Sequence, residues 1–285
     1  MKKVFIINAK AGNGQAKQIA SYLNEIFYSN NDVNIVYTKD KTSTIVVAEH
    51  YKNQDCVIYS VGGDGTLNDV VTGLAGGNAY LGILPCGSGN DFMRNIDDKT
   101  AEIDLGKVND KYFINVVSFG IDAEVANKAN ELNKKGSSKF VYPKGILLTF
   151  PKFKSPTITV DNEEKEITIL AVCNGSFYGN GFKIAPYADI SDGKFDLYLV
   201  EKVNKLEMLY LFSKLLKGNH DKCNKVSYSH ISNLQINSQH PLICNIDGEI
   251  TTGTTFNIAL QKEKIKFYQE DDERLKKLIY PYMRK

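Results

Sequence analysis

Ile58-Tyr-Ser-Val-Gly-Gly-Asp-Gly-Thr-Leu-Asn-Asp-Val-Val-Thr-Gly-Leu74 joins an apolar strand to a Gly-Gly-Asp-Gly-Thr turn and then to an amphipathic helix. Cys56, Val57, Ile58, Tyr59 and Val61 are apolar, as in a buried parallel strand. Leu67, Val70, Val71 and Leu74 recur at helical spacing on one face. Gly62, Gly63 and Gly65 offer positive φ and let another molecule approach the backbone, and Thr66 is placed to cap the helix. The free N–H groups there favour an anion, phosphate above all. A carboxylate in that same turn, Asp64, suits a divalent cation bridging to phosphates or the activation of a hydroxyl nearby. The local alternative is a βα turn whose aspartate bonds only its own backbone.

Working outward, the first hundred residues alternate: strand 3–8, helix 14–28, strand 33–37, helix 43–53, strand 56–61, helix 66–75, strand 80–84. This pattern predicts a parallel sheet covered on both faces, with ligands gathered beyond the strand C-termini. The loops carrying Asn8 to Gly12, Gly62 to Thr66 and Gly87 to Asp91 all follow strands and would share that edge as one nucleotide site. From about residue 101 short segments alternate apolar and polar residues, as in Phe195-Asp-Leu-Tyr-Leu-Val200, and predict a second, mainly antiparallel β domain. Helices are expected near 122–150 and 204–217, and again over 270–280. Read locally, Asp247-Gly248 is a hairpin turn, 189–195 a bulged hairpin, and Gly87-Ser-Gly-Asn-Asp91 a helix start capped by Asn90 or Asp91.

With 285 residues the chain exceeds the usual single domain, so two cores are expected. Apolar residues make up 42% and charged residues 24%, and no run approaches the roughly 18 apolar residues that a spanning helix needs. The apolar run after Met1-Lys-Lys is too short for a signal peptide, which points to a cytoplasmic protein. Five cysteines lack Cys-x-x-Cys spacing and are expected as thiols, and the four histidines lack metal-ligand spacing and are expected at the surface. A net charge of +2 gives no footprint for general nucleic-acid binding. Neither a Walker A sequence nor Gly-x-Gly-x-x-Gly occurs, so ATP must be held differently from a P-loop enzyme.

Three more elements stand in order around the Gly-Gly-Asp-Gly-Thr turn: Asn8-Ala-Lys-Ala-Gly12, Pro85-Cys-Gly-Ser-Gly-Asn-Asp-Phe-Met-Arg94 and Asp247-Gly-Glu249. The turn alone is shared by diacylglycerol, sphingosine and NAD kinases and by phosphofructokinases. The ordered set resembles the soluble bacterial members of the diacylglycerol kinase catalytic-domain family over nearly the whole chain. The resemblance implies an α/β ATP-binding domain of residues 1–100 joined by a returning segment, 266–285. It also implies a β-sandwich lipid-substrate domain of residues 101–265, with the active site in the cleft between the two. ATP would contact Asn8, Gly12, Thr38, Gly62, Gly63, Gly65, Thr66 and Ser88. Asp64, Asp91 and Glu249 would be catalytic, Glu249 as the base on the acceptor hydroxyl and Asp91 placing Mg2+ or the substrate. A structural Mg2+ would sit on Asp189, Asp192 and the carbonyl of Lys194. Ser88 and Met93 replace the family's threonine and alanine and keep the hydroxyl or the size needed. Asp69 stands where relatives carry glutamate and is one methylene shorter.

The implied activity is transfer of the γ-phosphoryl of ATP to the hydroxyl of a membrane lipid, diacylglycerol first. The alternatives are an NAD kinase and a catalytically weak lipid-binding regulator on the same fold. Residues 132–160 contain Lys134, Lys135, Lys139, Lys144, Lys152 and Lys154, no acidic residue, and interleaved aromatic and aliphatic side chains. Such a segment suits an anionic bilayer, the alternative being a solvated lysine face on a packed helix. Peripheral membrane association is the expectation, and a homodimer is compatible with the sequence.

Overall fold

The computed structural model describes residues 1–134 and 141–283, so Lys135 and Lys139 lie outside the described residues, as does the side chain of Lys134. The chain divides into two compact units. One comprises Met1–Leu105, Ile190–Asp192 and Gln261–Lys285, the other Gly106–Asp189 and Gly193–Leu260.

The first unit is built on a four-stranded parallel sheet in the order Val33–Thr38, Lys2–Asn8, Cys56–Gly62, Tyr80–Pro85. Cys56–Gly62 is buried along its entire length, as a run apolar but for Ser60 requires of a central strand. Helix Asp64–Leu74 turns Leu67, Val70, Val71 and Leu74 inward. It lies so close to helix Lys41–Tyr51 that a Cβ on Gly73 would stand 2.5 Å from the Ile45 carbonyl oxygen. Strand order reverses between Lys2–Asn8 and Cys56–Gly62, and a crevice opens at such a switch point beyond the strand ends.

The C-terminal segment completes this unit. Ile265–Lys266 pairs with Glu102–Ile103, Phe267 bridges beside Leu81, and helix Glu273–Ile279 buries Leu275 and Ile279. Glu270, its side chain 4% exposed, accepts from Lys3 at 2.9 Å and from the Tyr59 hydroxyl, tying the segment to two central strands.

The second unit carries a nine-stranded sheet, in which Val116–Gly120 pairs with both Glu163–Cys173 and Asn233–Ile246. Thr157–Val160 pairs with those same two strands further along, so the expected sandwich is realised as one hydrogen-bonded sheet folded over its core. Phe113, Phe119, Phe195 and Phe256 fill that core with Leu170, Val172 and Ile236. The alternate residues Ala171, Cys173 and Tyr198 point to a second cluster with Ile184 and Ala185. Helices Ile121–Lys134, Val141–Thr149 and Lys205–Leu216 interrupt the strands where the sequence places them.

Two local expectations are corrected. The segment 189–195 is not a hairpin, because Phe182–Lys183 pairs with Phe177–Tyr178 whereas Phe195–Glu201 pairs with Glu163–Cys173 and Val226–Ile231. His220 is not at the surface: it is buried and its Nε2 lies 2.8 Å from the Ile184 carbonyl oxygen. Among the described residues no helix is long and apolar enough to cross a membrane.

Candidate active site

In the first unit the loops after three strands meet at the sheet's carboxyl edge. Asn8 ends its strand and donates from Nδ2 to Thr66 Oγ1 at 3.2 Å, while its Oδ1 accepts the Lys10 N–H at 3.1 Å. Gly12 lies at φ +64°, and a Cβ there would overlap the Cys86 carbonyl oxygen, so only glycine lets the first loop rest on the third.

The glycines of the Gly-Gly-Asp-Gly-Thr turn act differently from the expectation. None of Gly62, Gly63 and Gly65 has positive φ. Gly62 closes the strand under the Thr66 side chain, and Gly63 faces Gly87 so closely that a Cβ on Gly87 would lie 2.5 Å from the Gly63 Cα. Open space lies over Gly65, the position where another molecule can approach the backbone. Thr66 is not the cap either. The helix starts at Asp64 with Gly63 as its N-cap, a residue with no side chain to accept from the first-turn N–H groups. Thr66 is buried inside that turn.

Asp64 Oδ2 accepts the Asp91 N–H at 3.2 Å and Oδ1 the Phe92 N–H at 3.1 Å, which brings the second and third loops together through one carboxylate. The alternative of an aspartate serving only its own turn is therefore excluded. Asn90, at φ +49°, clasps Gly87 through both amide atoms, accepting its N–H at 2.8 Å and donating to its carbonyl at 2.9 Å. Neither Asn90 nor Asp91 caps the short 3-10 helix Phe92–Asn95 by its side chain; Asp64, from another loop, accepts at that helix start. Asp91 is 5% exposed, with Arg94 Nε at 3.6 Å. Ser88 is exposed in the same loop. Thr38 ends its strand buried, its hydroxyl accepting from Thr44 at 2.9 Å. Asp64 and Asp91 are oxygen donors of the kind Mg2+ takes, and each Asp64 oxygen keeps a lone pair beyond the one its N–H uses.

In the second unit Asp247 and Gly248, at φ +47° and +89°, form the two-residue turn of a hairpin in which Ile246 faces Glu249. The Asp247 carboxylate accepts the N–H groups of Ile114, Asn115 and Val116 at 2.8, 3.1 and 2.8 Å, an anchor that the local turn reading did not foresee. Glu249 opens the next strand half-exposed, with Lys111 Nζ 2.7 Å from its Oε1. Asp122 also escaped the sequence reading. It accepts from the hydroxyls of Ser118 and Tyr178 at the start of its helix, and burial pushes its carboxyl above the usual range. The sequence signal was Gly120, held at φ +85° just before that helix.

Asp189 and Lys194 belong to the second unit and Asp192 to the first, and all three are exposed. Around them Asp104 N–H donates to the Ile190 carbonyl at 2.7 Å, and Lys264 reaches both the Ser191 carbonyl and Asp104. Among the described residues no cluster of three or more His, Cys, Asp or Glu side chains gathers as a metal site.

A parallel sheet whose carboxyl edge brings together glycine-lined backbone, an uncapped helix N-terminus and two carboxylates is the apparatus of a nucleotide-dependent phosphotransferase. Residues 2–112 match the diacylglycerol kinase catalytic domain, and residues 115–267 match the YegS C-terminal NAD kinase beta sandwich-like domain. The chain therefore belongs to the diacylglycerol kinase catalytic-domain family, with a YegS-type C-terminal domain, and is an ATP-dependent lipid kinase. It is 31% identical over 234 residues to a diacylglycerol kinase of Staphylococcus haemolyticus, covering 74% of this chain and 70% of that one. To the diacylglycerol kinase of Bacillus subtilis it is 29% identical over 215 residues, 68% of this chain and 71% of that one. A Bacillus anthracis structure described as a diacylglycerol kinase shares the fold at TM-score 0.65 and 16% identity, covering 94% of this chain and 97% of that one.

Proposed function

We propose that the lipid acceptor is diacylglycerol and that the product is phosphatidic acid. The observation that carries this reading is the Asp64 carboxylate, held by the N–H groups of Asp91 and Phe92 at the phosphate-favouring edge of the sheet, in a chain whose relatives bear that enzyme name. ATP lies along the loops of Asn8, Gly12, Gly62 to Thr66 and Ser88, with its phosphates toward the open backbone at Gly65 and the helix N-terminus. Thr38 supports this edge from beneath. Asp64 and Asp91 hold Mg2+, which when bound neutralises the charge on the transferring phosphoryl group.

Glu249 accepts the proton of the acceptor hydroxyl as the new P–O bond forms and the bond to ADP breaks, with Lys111 Nζ 2.7 Å from its Oε1. Because phosphoryl transfer is largely metaphosphate-like, positioning contributes more than basicity, and the hydroxyl loses its proton late. Asp189, Asp192 and the Lys194 carbonyl hold a second, structural Mg2+. The lysine-rich segment 132–154 contacts the anionic membrane in which the acceptor resides. Labelled ATP offered with diacylglycerol, sphingoid base or NAD tests the acceptor. Label should enter the diacylglycerol product, and transfer to NAD or to a sphingoid base alone would overturn the assignment.

A further inference from the structure

Helix Lys205–Leu216 is amphipathic in the wrong sense for a globular surface. Met208 is buried and Leu211, Phe212 and Leu215 are partly buried, yet Leu206, Leu209, Tyr210 and Leu216 are 79%, 51%, 55% and 56% exposed. At 100° per residue these four fall on one arc with Ser213, whose hydroxyl donates back to the Tyr210 carbonyl at 2.7 Å and so withdraws its polarity. Lys205 and Lys214 border the arc, and Lys217 follows at the helix's C-terminal end. The helix's single acid, Glu207, lies off it and is held by the Asn204 N–H at 2.9 Å. The exposed face is thus apolar, edged with positive charge and free of acids.

Lys205 joins this face to a second one. Its Nζ donates to the Phe150 and Phe153 carbonyls at 2.6 and 3.0 Å and lies 5.1 and 5.7 Å from their ring centroids. One turn before Phe150, Leu147 and Leu148 are 73% and 47% exposed on helix Val141–Thr149. Beside the first turn of helix Lys205–Leu216 lies a groove of about 510 Å³ lined by Phe153, Lys154, Lys205 and Met208, with Lys202 neutralised there by Glu166 at 2.9 Å. Among the described residues Lys152, Lys154 and Lys217 make no ion pair, so their charge is available to an anionic partner.

We propose that helix Lys205–Leu216 is an interfacial anchor that lies flat in the headgroup region of an anionic bilayer, inserting Leu206, Leu209, Tyr210 and Leu216 beside Leu147 and Leu148. The inference rests on the lipid-kinase reading and places the main apolar contact outside the lysine-rich segment. A helix with one apolar face and basic borders takes this orientation, and it is too short to span.

The chain contains no tryptophan, so a single introduced indole reports on its own position. Leu209→Trp in the full chain is mixed with phosphatidylcholine vesicles, with and without phosphatidylglycerol, and no diacylglycerol or ATP. Emission should shift to the blue and be quenched by brominated acyl chains on phosphatidylglycerol vesicles, while Tyr28→Trp, 85% exposed in the first unit, should show neither response. Serine at positions 206, 209 and 210 together should weaken vesicle co-sedimentation at least about 10-fold, with turnover of a short-chain, water-soluble diacylglycerol unchanged. Indoles at 209 and 28 that respond alike, or a serine variant that still binds vesicles, would overturn the anchor. So would a serine variant whose only change is conversion of a dimer to a monomer, which would make the face a contact between copies. Loss of lipid turnover in the unmodified chain would instead count against the lipid-kinase reading and leave the vesicle measurement independent.

Discussion

A carboxylate that organises backbone is more costly to remove than one that only pairs with a cation. Asp247 accepts three N–H groups from Ile114, Asn115 and Val116, all of them in buried residues. Asp247→Ala should destabilise the protein by about 3 kcal/mol or more, since each buried donor left without an acceptor costs roughly 1–3 kcal/mol. Urea unfolding should show a lower midpoint at unchanged slope. Asp122 predicts a pH effect. Burial raises its folded pKa above the ordinary 3.8, so the folded state keeps a proton that the unfolded chain releases. That stabilisation is full below pH 3.8 and lost as pH rises through the folded value. Asp122→Asn should therefore lose less stability than the parent between pH 4 and 7, as followed by thermal melts.

At this scale the sequence was legible where chemistry is local: Asp247-Gly248 is the hairpin turn its residues specify. It was not legible for Asp122, whose partners Ser118 and Tyr178 lie 4 and 56 residues away and meet it only through folding. The glycines of the central turn are read for freedom of φ, whereas Gly62 and Gly63 serve close approach, to Thr66 and to Gly87, the latter in a loop more than twenty residues further on.

Elements were legible because their periods are. The strands Lys2–Asn8, Val33–Thr38, Cys56–Gly62 and Tyr80–Pro85 fall where predominantly apolar runs place them, and helices Gln15–Ile26 and Asp64–Leu74 follow the 3.6-residue repeat. Their ends were less so, because caps answer to tertiary contacts: Asp64, not a residue of its own segment, accepts at the start of Phe92–Asn95. Helices Lys41–Tyr51, Lys205–Leu216 and Glu273–Ile279 are exceptions, each capped by the side chain just before it; in the last, Asp272 accepts the Arg274 N–H at 2.9 Å. Arg274 also bonds the Asp272 carboxylate, holding its pKa down at about 2. Asp272→Ala should cost about 1 kcal/mol of stability. Because a depressed carboxyl stabilises above its unfolded pKa, the difference from the parent should shrink as pH falls from about 4 toward 2, and guanidinium titrations across that range would measure it.

For the whole molecule, two architectures on one chain follow from the change of texture near residue 101, from βα alternation to short alternating strands. The exchange of Ile190–Asp192 into the first unit does not follow, since nothing in those three residues marks it. The structural Mg2+ proposed for this segment gives a global test. Asp192→Ala should lower the melting temperature in Mg2+ and abolish the rise that Mg2+ gives the parent, as required when a ligand binds only the folded state. An unchanged response to Mg2+ would remove that site.

The central claim is that Asp64 sits at the heart of a site that phosphorylates a lipid alcohol. It is tested most directly by the rate at which the parent and Asp64→Asn transfer the γ-phosphoryl of ATP to diacylglycerol in mixed micelles with Mg2+. The variant's amide can still accept one of the two N–H groups but carries no charge. Turnover should fall at least roughly 100-fold, as when one well-placed charge is lost from a transition state, with the circular dichroism spectrum preserved. Equal turnover by a folded Asp64→Asn protein would contradict the account.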